Sequence, residues 1–138
     1  MNRQALISLS NKKNIKLICK ILNDYKIQII ASDNTYKKII GLGFKAKRVK
    51  NITKYNELFE GRVKTLHPII HGGILFKRSD IKHYNQAKKN KIPLIDFVII
   101  NLYPFTEMAS KKNSNELLIE NIDIGGHALI RSAAKNFK

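Results

Sequence analysis

Residues 61–68 (GRVKTLHP) gather cationic and hydroxyl side chains suited to an anionic ligand. Arg62, Lys64 and Thr65 are interleaved with apolar residues, and Pro68 is expected to prevent a helix here. Cationic groups in such a segment can bind an anion or stabilise negative charge that develops during a reaction. A solvated loop explains the same pattern equally well, so the segment is a candidate site only.

Two short polar loops are equipped to hold a phosphate. Residues 10–12 (SNK) and 32–35 (SDNT) each follow a predicted strand and lead into a predicted helix. The N-terminus of a helix offers unpaired N–H donors and partial positive charge, which favour a phosphate. Helix capping by Ser10 and Thr35 explains either loop as well, and the Asp33 carboxylate would repel a phosphate.

Two further polar segments complete the candidate chemistry. Asn101 and Tyr103 follow the longest apolar run of the chain, and residues 120–126 (ENIDIGG) combine Asp123 with two glycines. Glycine permits close approach of the backbone to a ligand, although a turn between two helices has the same composition.

We expect neither a metal site nor a disulfide. His67 and His71 are four residues apart, but Pro68 lies between them and no third ligand follows at a zinc-like spacing. Cys19 is the only cysteine, and its apolar surroundings predict that it packs in the core.

Strands alternate with helices along the chain, which predicts an α/β fold with a mostly parallel sheet flanked by helices. Ligands of open parallel sheets bind beyond the carboxyl ends of the strands, so the polar loops should meet there. The predicted strands are residues 4–9, 27–31, 45–49, 74–76 and 96–102, the last as a central strand. The predicted helices are residues 14–25 capped by Ser10 or Asn11, a short one ending at 41–43, a turn at 55–59, 79–90 capped by Ser79, 115–120 and 127–135.

The composition excludes several classes of protein. The chain has 138 residues, enough for one domain, and its net charge of +16 arises from scattered lysines, 21 against 5 arginines. Base-reading arginines and aromatic residues are not grouped, so we expect steering of an anionic phosphate ester rather than specific nucleic-acid binding. The sequence has neither a signal-peptide pattern nor a membrane-length apolar run, which favours a cytoplasmic protein.

Five segments, in this order, resemble the N-terminal inosinate (IMP) cyclohydrolase domain of the bifunctional purine biosynthesis enzymes, which combine it with AICAR transformylase. They are residues 61–68, 71–75, 101–105, 120–126 and 131–136, while the first 60 residues match more loosely at the two phosphate-type loops. The resemblance implies a methylglyoxal-synthase-like α/β fold over residues 1–138, a natural domain that continues beyond residue 138, and an absent transformylase domain.

The resemblance also implies a reaction and its partners. The substrate would be a small ribonucleotide, 5-formamidoimidazole-4-carboxamide ribotide, which loses water as its ring closes to inosine monophosphate. Neither a cofactor nor a metal would be needed, and the full-length proteins would be homodimers.

The resemblance places the site residues position by position, and the chemistry of the reaction suggests a role for each, held as a hypothesis. Lys64 would stabilise the formyl oxygen, Tyr103 would relay a proton to the departing hydroxyl, and either Asp123 or Lys135 would be the base. The implied substrate-binding residues are Ser10, Lys12, Ser32 and Thr35 around the phosphate, with Arg62, Thr65, Asn101 and Gly125.

The chain departs from the family pattern at two places. Asp33 and Asn34 stand where the family has two glycines in the phosphate loop, so we expect weaker substrate binding. His127 stands where proline is frequent and is expected to adjust the start of a helix. Two alternatives stay open: a non-catalytic module of the same fold that binds a phosphorylated metabolite, and an inactive fragment.

Overall fold

The computed structural model describes residues 3–110 and 113–137, which form a parallel four-stranded sheet flanked by helices. The α/β prediction is therefore confirmed. The strand order is β3-β2-β1-β4, with β1 at Gln4–Leu9, β2 at Gln28–Ala31, β3 at Lys47–Arg48 and β4 at Ile95–Asn101.

The helices carry the chain between the strands and beyond β4. They are α1 at Ile15–Asp24, α2 at Asp33–Gly41, α3 at Val49–Thr53, α4 at Pro68–Leu75, α5 at Ile81–Lys89, α6 at Phe105–Ser110, α7 at Asn115–Glu120 and α8 at Gly125–Lys135, with a 3-10 turn at Phe59–Gly61. Most predicted elements agree within two residues at each end, whereas α3, α4 and α6 were not predicted and α2 begins inside the predicted turn. In the described part of the chain, no helix combines the length and apolar character that crossing a membrane requires.

Three local predictions around residues 55–76 are wrong. Pro68 begins α4 instead of preventing a helix, because the first helical position needs no N–H donor. The His67 ring caps that helix by accepting a hydrogen bond from the Ile69 N–H at 3.2 Å. Residues 74–76 are the end of α4 and its cap rather than a strand, and residues 55–58 are not helical, because Leu58 pairs with Val63 in an isolated antiparallel bridge.

Two of the predicted helix caps are also wrong. Asp80, not Ser79, caps α5 by accepting hydrogen bonds from the N–H groups of Lys82 and His83, which lower the pKa of Asp80. Helix α1 begins after Asn14, and no side chain of the residues that the structure describes caps it.

Strand β4 lies at one edge of the sheet, so its predicted central position is wrong. In the described part of the chain it pairs with β1 alone, and its residues after Ile95 are half-buried. A continuous apolar run requires helices on both faces of a strand, but it does not require a neighbouring strand on both sides.

Successive residues of β1 point to opposite faces of the sheet, and each face has its own core. Ala5, Ile7 and Leu9 pack with residues of α1 and α2, among them Cys19, which is fully buried as predicted. Burial raises the pKa of the Cys19 thiol. Leu6 faces the other way, toward α3, α4 and α8, in a cluster with Ile30, Val49, Ile70, Ile74, Ile95 and Leu129.

Gly73 allows α4 to lie directly on the start of β4. A Cβ atom at this position would stand 2.7 Å from the Pro93 carbonyl oxygen and 3.0 Å from Ile95 Cδ1. Since a backbone carbonyl cannot rotate away, a larger residue at position 73 would push the helix off the sheet.

We predict that Gly73→Ala lowers the free energy of unfolding by about 1–3 kcal/mol, the usual cost of an overpacked core. Urea denaturation would measure the change. The matched control is Gly41→Ala, in α2, where a Cβ would meet no atom within 4 Å. This control should be neutral or stabilising by up to about 1 kcal/mol. Equal effects of the two substitutions would contradict the close packing of α4 on β4.

Candidate active site

A cleft of about 530 Å³ lies at the carboxyl ends of β1, β2 and β4. Its walls come from the loop after β1, the start of α2, residues 57–65, the loop after β4 and residues 119–126. Eleven of the twelve site residues implied by the sequence line it: Ser10, Lys12, Ser32, Thr35, Arg62, Lys64, Thr65, Asn101, Tyr103, Asp123 and Gly125.

Lys135 is the exception. It is the last residue of α8 and is exposed, whereas Gly125, the first residue of the same helix, lines the cleft. Ten residues of helix correspond to about 15 Å along the axis. Within one copy of the chain, Lys135 therefore does not join Lys64, Tyr103 and Asp123.

The Asn101 side chain fixes the loop after β1. Asn101 lies opposite Leu9 in the parallel register, at the carboxyl end of β4. Its Oδ1 accepts hydrogen bonds from the N–H groups of Ser10 at 2.7 Å and Asn11 at 3.2 Å, and its Nδ2 donates to the Asn11 carbonyl at 2.7 Å. The carboxamide thus shapes the cleft through the backbone of the neighbouring loop.

The hydroxyls at the start of α2 connect this helix to β1. Ser32 Oγ shares a 3.1 Å hydrogen bond with Ser8 Oγ and donates to Thr35 Oγ1 at 3.3 Å, and Thr35 Oγ1 accepts from the Leu9 N–H at 3.1 Å. Both residues are buried. Among the described residues no side chain caps the first turn of α2, so its N–H groups are available to an anion in the cleft.

Residues 57–65 form a second wall that is joined to α7. Arg62 is exposed and makes a hydrogen-bonded ion pair with Glu120 at the end of α7, which raises the pKa of Arg62. Gly61 has a φ of +93°, a left-handed conformation that suits glycine at the turn before Arg62. The pairing holds the Arg62 guanidinium at the mouth of the cleft.

Asp123 and Gly125 shape the third wall at the N-terminus of α8. Asp123 Oδ1 accepts a 2.7 Å hydrogen bond from the Gly126 N–H and so caps this helix. A Cβ on Gly125 would stand 2.9 Å from Oγ1 of the buried Thr65. Glycine is needed at position 125 because α8 approaches Thr65 closely, which draws two walls of the cleft together.

Lys64 and Tyr103 differ from Arg62, Asn101 and Asp123, whose side chains are paired within the protein. Lys64 is half-buried and Tyr103 is 41% exposed. In the part of the chain that the structure describes, neither side chain makes a hydrogen bond or an ion pair. Both are therefore free to contact a ligand.

Several residues of the cleft were not predicted. Ser8 precedes the polar loop that marked the end of β1, Glu57 lies in the predicted turn at 55–59, and Glu60 lies between that turn and the segment 61–68. Glu120 lies in the segment 120–126, but no role was predicted for it. Three exposed apolar side chains also face the cleft and could pack against a flat ring: Ile119, Ile122 and Ile124.

His71 lies behind the cleft, between α4 and α8. Its Nδ1 is 2.8 Å from Ser132 Oγ, which donates to the Ala128 carbonyl at 3.0 Å. Because the serine proton is used in that bond, the ring must donate from Nδ1. Burial lowers the pKa of His71, opposed in part by the backbone of Thr65. Within residues 3–110 and 113–137, no three His, Cys, Asp or Glu side chains gather as a metal site.

Comparison with known proteins assigns relatives to the chain. The model of the MGS-like domain family matches residues 14–128. The bifunctional purine biosynthesis protein PurH of Oceanobacillus iheyensis is 45% identical over the whole chain, which covers 27% of that relative. PurH of Prochlorococcus marinus is 47% identical with the same coverage, and the Dictyostelium discoideum protein is 45% identical over 98% of the chain and 25% of its own length. The chain thus spans about a quarter of these curated relatives and matches their N-terminal part.

A solved structure has the same fold. The crystal structure of ForH superposes with a TM-score of 0.82 at 30% sequence identity, covering 99% of this chain and 70% of ForH. A methylglyoxal-synthase-like fold, as the sequence motifs implied, is confirmed.

We predict that His71 makes the stability of the fold sensitive to pH. The unfolded chain takes up a proton at this histidine as the pH falls below its ordinary pKa of about 6.5, while burial disfavours the charged ring in the folded state. The stability that the neutral His71 ring contributes is fully present above about pH 6.5. It is lost as the pH falls from there to the lower pKa of His71 in the folded state. The urea concentration at the unfolding midpoint should fall as the pH is lowered from 7.5 to 5.5. His71→Gln should reduce this dependence of the midpoint on pH.

The control for this prediction is His127→Gln, a change at an exposed histidine of α8, which should leave the slope unchanged. An equal slope in wild type and His71→Gln would show that His71 is not the responsible group.

Proposed function

This chain belongs to the MGS-like domain family, and on that premise we propose that it is an IMP cyclohydrolase. Its relatives are bifunctional purine biosynthesis proteins. The proposed reaction closes 5-formamidoimidazole-4-carboxamide ribotide to inosine monophosphate with loss of water. The observation that carries the proposal is the meeting of Lys64, Tyr103 and Asp123 in one cleft with two phosphate-type loops.

The phosphate of the substrate would lie between the loop after β1 and the start of α2. Lys12 supplies a positive charge there, although its Nζ also donates to the Ser10 carbonyl at 3.2 Å. The uncapped N–H groups of α2 supply donors, and the buried hydroxyls of Ser32 and Thr35 hold this helix against β1. An anion in this position gains from the N-terminal charge of the helix.

The base of the substrate would extend toward the N-terminus of α8. The exposed side chains of Ile122 and Ile124 offer an apolar surface there, in the same cleft as Lys64. Holding the carboxamide nitrogen against the formyl carbon supplies a large part of the rate acceleration, since it replaces a search for the correct geometry.

The chemistry assigns one proton to each group. As the carboxamide nitrogen attacks the formyl carbon, negative charge develops on the formyl oxygen, and the unpaired Lys64 ammonium stabilises it. Asp123 Oδ2 accepts the proton of the attacking nitrogen, because Oδ1 is engaged by the Gly126 N–H. The Lys64 ammonium protonates the oxyanion to a hydroxyl, and Tyr103 donates a second proton as this hydroxyl leaves as water. The nitrogen that carried the formyl group loses its proton to the Tyr103 phenolate, and the proton held by Asp123 returns to Lys64.

Three earlier expectations enter no step of this proposal. A role for Lys135 stays a prediction, and so do the cytoplasmic location and the dimeric state of the full-length protein. Neither a metal nor a redox cofactor is required by the proposed reaction, which exchanges only protons and water.

A second candidate is a module of the same fold that binds a phosphorylated metabolite without turnover. Two observations favour it: Asp33 brings a carboxylate to the phosphate-type loop, and Arg62 is paired with Glu120 rather than free. Turnover distinguishes this candidate from the cyclohydrolase.

We predict that Lys64→Ala lowers kcat about 10²–10³-fold, the usual cost of removing one group that stabilises a developing oxyanion. Inosinate formation from the formamido ribotide would be followed spectrophotometrically. Lys20→Ala, a substitution at an exposed lysine of α1 outside the cleft, is the matched control and should behave as wild type. Saturable binding of inosinate without turnover by the wild type would support the binding module. The absence of both binding and turnover would contradict both functions.

A further inference from the structure

We propose that Arg48 and Lys50, which lie outside the cleft, set its affinity for a phosphate group by holding the Asp33 carboxylate away from the ligand. The inference rests on the proposed function, since it requires a phosphorylated ligand at the start of α2. It makes Arg48 and Lys50 positioning residues that act through Asp33.

The geometry brings both cations to the same carboxylate oxygen. Asp33 Oδ2 is 3.9 Å from Arg48 Nη1 and 3.9 Å from Lys50 Nζ. The parallel pairing of β2 with β3 places Arg48 opposite Ala31, two residues before Asp33. The Arg48 guanidinium also lies 4.5 Å from the centre of the Tyr36 ring, a cation–π contact that fixes its position against α2.

The charges explain why this arrangement matters to a ligand. Asp33 is the first residue of α2 and lines the cleft, so its negative charge lies beside the donors available to a phosphate. Two positive charges at one oxygen outweigh that charge and give the three side chains a net charge of +1. Partly exposed pairs at such distances add little to the stability of a fold, so their main effect should fall on ligand affinity.

Two physical models make different predictions for these cations. If Arg48 and Lys50 act on the phosphate only through their long-range field, removing one of them costs the same affinity whether or not Asp33 is charged. If they hold the carboxylate away, removing one lets Asp33 turn toward the phosphate, and the cost depends on Asp33. A double-mutant cycle measures this dependence.

The test measures the dissociation constant of inosinate by calorimetry at low salt for wild type, Lys50→Ala, Asp33→Asn and the double variant. Lys50→Ala should weaken binding about three- to tenfold in the wild-type background and less than about twofold in the Asp33→Asn background. Asp33→Asn alone should bind inosinate at least as tightly as wild type. Lys50 is preferred to Arg48 for the substitution because the Arg48 side chain also packs on Tyr36.

Three controls separate positioning from charge or folding. Lys47→Ala removes the same charge from an exposed lysine of β3 and should change affinity less than about twofold. Lys50→Arg keeps the charge and should restore binding. Inosine, which lacks the phosphate, should show no difference among the variants. Where turnover is measurable, Lys50→Ala should raise KM and leave kcat unchanged.

Each result decides the inference. Equal losses of affinity in the two backgrounds would overturn it and leave the proposed function intact. A loss of kcat in place of a rise in KM would overturn it as well. Failure of the wild type to bind inosinate would contradict the proposed function together with the inference. This outcome differs from an additive double-mutant cycle with normal wild-type binding, which contradicts the inference alone.

Discussion

The parallel pairing of β1 with a strand on each side is the constraint on which the candidate site depends. Leu9 lies opposite Asn101, and Ile7 lies opposite Ala31, so three strands end at nearly the same level. The loops that follow them must therefore meet at the carboxyl ends of the strands. The Asn101 carboxamide then joins the end of β4 to the loop after β1 by three hydrogen bonds to backbone atoms. These bonds fix the shape of the cleft.

The polar residues of the cleft divide into those that build it and those that are free to act. Hydrogen bonds of Asn101, Ser32 and Thr35 connect the end of β1 and its loop to β4 and to the start of α2. Lys64 and Tyr103 make none within the described ranges, 3–110 and 113–137. A side chain without a partner in the protein can supply charge or a proton to a ligand directly, and so can Asp123 through Oδ2, since only its Oδ1 is engaged. This division supports the chemical roles proposed for Lys64 and Tyr103.

The sequence predicted the α/β class and most element boundaries because apolar periodicity reports burial directly. It could not tell that β4 is an edge strand, since burial of both faces leaves the neighbours of a strand undetermined. Pro68 was misjudged because proline both prevents and begins helices, depending on its position. The polar segments contained most polar residues of the cleft but not Ser8, Glu57 or Glu60, and the distance of Lys135 from the cleft and the contacts of Arg48 with Asp33 depend on tertiary packing.

The most direct test of the central claim, that this cleft is the ligand site, is an NMR titration of the ¹⁵N-labelled chain with inosine monophosphate. We predict that the amide signals of residues 10–12, 32–35 and 125–126 shift together and saturably, because these backbone N–H groups surround the proposed phosphate and base positions. Shifts confined to the groove at the amino ends of the strands, around Gln28 and Lys91, would contradict the account.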